Sequence, residues 1–190
     1  MKYNVYSFFN AFLPLVIISF FLLDSLFNIN LKGVILVLGV FINILVTIIV
    51  GNSFDIDTDI KQNDICTPFT ISNMQTFTRL PINTSLLCFV FIYLLSIAGL
   101  HGFMLINIPF IAFMTLLIMT DSLWLIQNNC FTGKQTFISA CTGILFALLW
   151  SFIINKTNNK QLLYNIGINN YNVCEVPKKR SYKCKTKNIE

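Results

Sequence analysis

One histidine and eight side-chain carboxylates are the groups of this 190-residue chain that most often carry acid–base chemistry. His101 sits in Ala98-Gly99-Leu100-His101-Gly102, where paired glycines favour a tight turn, so it reads as a turn residue rather than a proton relay. Asp24 and Asp121 lie late in long apolar runs. Carboxylates inside a membrane are costly and often functional, but both lie near the ends of their runs, where headgroups and water are within reach. Asn43, inside another apolar run, reads as a hydrogen-bonding link between helices. Asp55-Ile56-Asp57-Thr58-Asp59 opens like a calcium loop, but Ile60 stands where glycine is needed and Cys66 where the bidentate glutamate belongs. A solvated acidic loop fits it better.

The six cysteines are Cys66, Cys88, Cys130, Cys141, Cys174 and Cys184. No CxxC pair occurs, so zinc is not expected, and no cofactor is expected either. Cys88 and Cys141 fall inside apolar runs, where a thiol packs as a small hydrophobe. Cys66 and Cys130 lie in two loops on one expected side and are a candidate disulfide if that side is oxidising. Cys174 and Cys184 flank a basic stretch and are a second candidate pair. Asn83-Thr84-Ser85 and Asn155-Lys156-Thr157 match the glycosylation acceptor pattern, but their positions argue against use.

Composition decides what positions these residues. Hydrophobic residues make up 55% of the chain and charged residues 11%, with a mean hydropathy of +0.71. Soluble domains carry about 25% charge. A soluble enzyme or nucleic-acid-binding domain is therefore excluded, and an integral membrane protein is expected. A helix crosses the bilayer core in about 20 residues. The uncharged blocks predict an all-α bundle of about five spans over residues 1–155, near 8–27, 33–50, 82–98, 103–123 and 136–154. The block 80–120 is too long for one span and must fold back near Ala98–Gly102. A signal peptide at the start is disfavoured, because no small-x-small cleavage site follows the first apolar run.

Residues 156–190 form a basic tail. The chain after Phe152 carries seven lysines and Arg180 against Glu175 and Glu190, a net +6, while everything before it sums to −1. The positive-inside rule then puts the C-terminus in the cytoplasm and the acidic 51–81 loop outside. Lys178, Lys179, Arg180, Lys183 and Lys185 are the candidate interaction residues, contacting anionic lipid headgroups or a partner protein. Nucleic acid is the weaker partner class for a chain embedded in lipid.

Two resemblances extend these readings. Leu80-Pro81-Ile82-Asn83-Thr84-Ser85 opens a span, and Asp121-Ser122-Leu123-Trp124 through Cys130 precedes a last helix carrying Gly143 and Trp150. This layout resembles the membrane core of type 2 phosphatidic acid phosphatases (PAP2). The resemblance implies a shared site on the outer face at Thr84, Asp121, Trp124 and Cys130. It also shows what is missing: Thr84 stands at a motif histidine, Trp124 at the arginine, Cys130 at the nucleophilic histidine and Lys134 at the helper acid. Phosphoryl transfer needs a nucleophile and cations around the phosphate, so the resemblance implies a catalytically dead descendant. The segment Leu162–Glu190, with Asn172-Val173-Cys174-Glu175-Val176-Pro177-Lys178-Lys179 and Tyr182-Lys183-Cys184-Lys185, is similar to the C-termini of uncharacterised multi-span membrane proteins of nucleocytoplasmic large DNA viruses. It implies a viral internal membrane or a host endomembrane, with capsid or other membrane proteins as partners of the tail. The expected function is a non-enzymatic structural or scaffolding membrane protein. The alternatives are a PAP2-like lipid phosphatase or pyrophosphatase, and a small channel or transporter using Asp24, Asn43 and Asp121.

Overall fold

A computed structural model describes residues 5–53, 66, 79–100, 102 and 104–157, with side chains from Phe12 onward. Among these residues the chain is all helical. Five helices follow in order: α1 (Val5–Phe27), α2 (Lys32–Ser53), α3 (Ile82–Leu100), α4 (Ile108–Gln127) and α5 (Gly133–Lys156). Helices of 19 to 24 residues measure about 28–36 Å at 1.5 Å per residue, the thickness of a bilayer core. Helices α2 to α5 are each long and apolar enough to cross a membrane, and the described side chains of α1 form a shorter apolar stretch, Phe12–Phe27.

The bundle is organised around α3. More than half (56%) of its apolar stretch is buried, against 17% for α4. Phe89 and Tyr93 are fully enclosed there, and Phe89 continues through Phe146 to Trp150 of α5 as a run of ring contacts 5.7 and 6.1 Å apart. Large apolar side chains such as Leu45, Leu116 and Phe152 are exposed on the outer surfaces, as expected where lipid is the solvent.

Three glycines set how closely the helices approach. A Cβ at Gly33 would overlap the Phe21 carbonyl oxygen of α1. One at Gly143 would overlap the Ser85 carbonyl oxygen and come within 3.2 Å of the Cys88 Cβ. One at Gly39 would meet the Trp150 ring at 2.6 Å. Around Gly143, Ser139, Ala147 and Ser151 are also buried. This four-residue spacing of small side chains puts one smooth face of α5 against α3, the usual way membrane helices gain close packing. Gly143 lies beside Ser85, and Phe146 beside Phe89, so α3 and α5 run parallel.

The turn between α1 and α2 uses the polar residues around Asp24. Asn28 donates to the Asp24 carboxylate at 2.8 Å. Ser25 donates its hydroxyl to the Asn30 carbonyl, and the Asn30 side chain accepts from the Lys32 N–H at 3.2 Å. Asp24 is thus a turn acceptor. The fold-back between α3 and α4 falls where the paired glycines lie, with Gly102 at φ +73°, a backbone state that glycine adopts without cost. The expected fourth span starts at 103, whereas α4 starts at Ile108. Residues 104–107 form a turn, and Pro109 suits the first helical turn because its missing N–H would have no partner there. At the start of α5 the boundary moves the other way. Thr132 and Gln135 make a reciprocal capping box, which starts the helix at Gly133, three residues before the expected span.

Candidate functional site

The first turn of α3 gathers most of the polar side chains in the interior. Ser85 faces α2 and Thr84, one residue earlier, faces α4. The Thr84 hydroxyl donates to Asp121 Oδ2 at 2.8 Å, with Thr84 fully buried and Asp121 1% exposed. The Ser139 hydroxyl of α5 donates to the Pro81 carbonyl at 2.5 Å. Three helices therefore hydrogen-bond to one turn of the fourth.

The α2 side is a closed ring with a fixed direction. Thr47 Oγ1 donates to the Asn43 carbonyl at 2.8 Å, which uses its only proton. The 2.8 Å contact between Ser85 Oγ and Thr47 Oγ1 must then carry the Ser85 proton. Asn43 Nδ2 completes the ring by donating to Ser85 Oγ at 3.1 Å. The reverse orientation of the amide would place an acceptor against Ser85 and leave the Ser85–Thr47 contact without a proton. Side-chain hydrogen bonds between membrane helices contribute about 0.6 kcal/mol each, rising to about 1.7. Asn43 is the interhelical link that its position suggests.

Beyond this layer, the α4–α5 connection is tied to Cys66, which lies between α2 and α3 in the sequence. Cys66 and Cys130 form a disulfide with Cα atoms 5.4 Å apart and 64 residues apart in sequence. The Cys130 N–H also bonds the Leu125 carbonyl at 2.9 Å. Asn129 occupies a left-handed conformation, φ +53°, which asparagine tolerates better than other side-chain-bearing residues. Cys88 and Cys141 carry free thiols.

Of the four positions suggested by the PAP2-like layout, the fold brings two into contact, Thr84 and Asp121. Cys130, at the nucleophile's place, is spent in a disulfide, and a disulfide sulfur has no thiolate with which to attack phosphorus. Trp124 supplies its backbone carbonyl to Asn128, whose side chain donates to it at 2.8 Å. Groups of three or more His, Cys, Asp or Glu able to hold a metal are absent among the described residues. His101, Asp55, Asp57, Asp59, Cys174, Cys184 and the basic residues Lys178, Lys179, Arg180, Lys183 and Lys185 lie outside the described residues.

Sequence reading singles out neither Ser85, Thr47 nor Ser139. Ser and Thr inside apolar runs are common and often bond their own helix, as Ser96 does to the Ile92 carbonyl at 2.7 Å. The available signal is spacing: Asn43 and Thr47 are four apart on α2, and Ser139, Gly143, Ala147 and Ser151 repeat every four on α5.

Fold and site together define an all-α, multi-pass membrane protein whose helices are joined by a polar layer near one end. Compared with known family models, curated proteins and solved structures, the chain matches none.

Proposed function

We propose that this chain is a non-enzymatic structural membrane protein, an anchor whose basic tail docks on anionic lipid headgroups or on a capsid or membrane partner. The observation that carries the reading is how the interior polar groups are used. Asn43, Thr47, Thr84, Ser85, Asp121 and Ser139 bond across helix interfaces, so they hold the bundle together. The segment with the strongest charge lies beyond α5, at Lys178–Lys185. A viral internal membrane as its setting rests on the resemblance of Leu162–Glu190 alone.

The disulfide supports an orientation for this reading, because structural disulfides favour oxidising compartments. In it the Cys66–Cys130 face points away from the cytoplasm and the tail, which follows the other end of α5, points into it. The positive-inside rule gives the same orientation.

The test uses full-length chain in neutral-lipid nanodiscs, with binding measured to vesicles containing phosphatidylserine. Basic residues near an anionic surface contribute about 1 kcal/mol each. Lys178→Ala with Lys179→Ala should therefore weaken vesicle binding roughly thirtyfold at low salt, and high salt should weaken the wild type. Equal binding by the double variant, or equal binding to neutral vesicles, would remove the role assigned to the tail.

A further inference from the structure

The geometry points to an intramolecular docking surface: two apolar turns at one end of the bundle take the uncharged segment 161–173 of this same chain. Gly39 of α2 faces the Phe89 ring, while Asn43 and Thr47 meet Ser85, so α2 runs antiparallel to α3. Helix α5 runs parallel to α3. The α1–α2 turn, the α3–α4 turn and the last turn of α5 therefore share one end. A turn in water is normally polar. At this end the turns present Phe27, Ile29 and Leu105, exposed by 81%, 94% and 81%. The opposite end presents Asn52, Gln127, Asn129 and Lys134. Ile29 also holds φ +48°, a left-handed conformation that strains a β-branched residue and that asparagine or glycine takes more readily. A contact covering its side chain would offset that strain.

Position decides the occupant. Charge marks where the hydrocarbon of a bilayer ends. Phe27 and Ile29 lie between Asp24 and Lys32, at the tip of their turn. With Gly39 beside Phe89, Lys32 is level with Ser96 of α3, one helical stretch of equal length away. Leu100 and the 104–107 turn lie farther out than this lysine. Both turns are therefore beyond the lipid core, and protein is what covers them. The chain itself supplies the cover. It leaves α5 after Lys156 at this same end. From Thr157 to Leu162 it spans up to about 17 Å, against roughly 8–10 Å between packed helices. Residues 161–173 carry no charge and include Leu162, Leu163, Ile166, Ile168 and Val173. They are too few to cross a membrane, which takes about 20. Tethering this close raises the segment's effective concentration at the turns to the millimolar range, so no second molecule is needed. This contact goes beyond the docking role proposed for Lys178–Lys185 and does not rest on it: weak vesicle binding by the tail would leave it standing.

The test places benzoylphenylalanine at Phe27, Leu105 or Phe41 of full-length chain in phospholipid nanodiscs. Phe41, exposed midway along α2, is the reference. Light drives the ketone to take a hydrogen from a nearby C–H, and the two radicals join, so the masses of the partners add without loss. The sample mixes light and heavy isotope-labelled chains. Mass spectrometry should find links from Phe27 and Leu105 to residues 161–173 roughly fivefold above those from Phe41, as expected of a tethered partner, and each linked pair should be of a single isotope. Leu163→Asp with Ile168→Asp should lower these links to the reference level; neither residue belongs to the bundle. Links from Phe27 and Leu105 to lipid alone would overturn the proposal by putting the turns in the bilayer. Links joining light to heavy chains would overturn it in favour of a second copy. Undiminished links in the double variant would overturn it too, since the segment's apolar side chains would then not be what holds it.

Discussion

Replacing Gly143 with leucine should cost about 3 kcal/mol or more, and alanine about 2, the range for overpacked interiors. The reason is that the first added carbon lands on backbone. At position 143 it overlaps the Ser85 carbonyl oxygen and sits 3.2 Å from the Cys88 Cβ. No rotamer relieves this, so α3 and α5 must separate. Separation also stretches the Ser139–Pro81 hydrogen bond and the Phe89–Phe146 ring contact. Gly39→Ala should cost less, because the atom in the way belongs to the Trp150 side chain, which can swing. Gly133→Ala should be neutral, since nothing lies within 4 Å of its added carbon. Cys88 is a built-in reporter, a free thiol only 4% exposed on the same helix face. Its reaction with a maleimide dye on heating should begin roughly 10 °C lower in Gly143→Leu. An unchanged onset would mean that the α3–α5 contact is looser than described.

Losing the disulfide is the other large effect. Closing 64 residues of random chain is worth about 4 kcal/mol in the loop-entropy picture. That figure is a ceiling here, because α3 and α4 lie inside the closed segment and apolar helices stay helical in lipid. Cys66→Ser with Cys130→Ser should cost 2–4 kcal/mol on this estimate and lower the onset of Cys88 labelling by about 5–10 °C. The loss should concentrate in α4, the least buried of the four spanning helices. Hydrogen exchange should rise first in α4 and in the 128–132 loop, while α3 keeps its protection. Uniform loss across all helices would show that the disulfide acts on the whole bundle.

How much of this the sequence reveals depends on the kind of signal. The spans are legible because the bilayer excludes charge over about 20 residues, and Lys32 and Lys134 mark where α2 and α5 begin. Ends set by local chemistry are not: residues 104–107 are as apolar as a span, yet form a turn. The polar layer is partly legible. Asp121 and Asn43 stand out because such residues are expensive in lipid. Of their partners, Thr84 is reached only through the PAP2-like layout and Ser85 not at all, since a hydroxyl can be satisfied by its own helix. Which of them turns toward α2 and which toward α4 follows from packing, and packing is decided by Gly143 and the small residues beside it.

The central claim is that the disulfide-bearing face and the basic tail lie on opposite sides of one membrane. It is tested by labelling full-length chain in sealed, uniformly oriented membranes with an impermeant maleimide, after a permeant reductant has opened any disulfide. With the tail side outside, Cys174 and Cys184 should gain mass while Cys66 and Cys130 stay unlabelled until detergent is added. Labelling of both sets from the same side would contradict the account, because α5 could not then cross the bilayer between Cys130 and the tail.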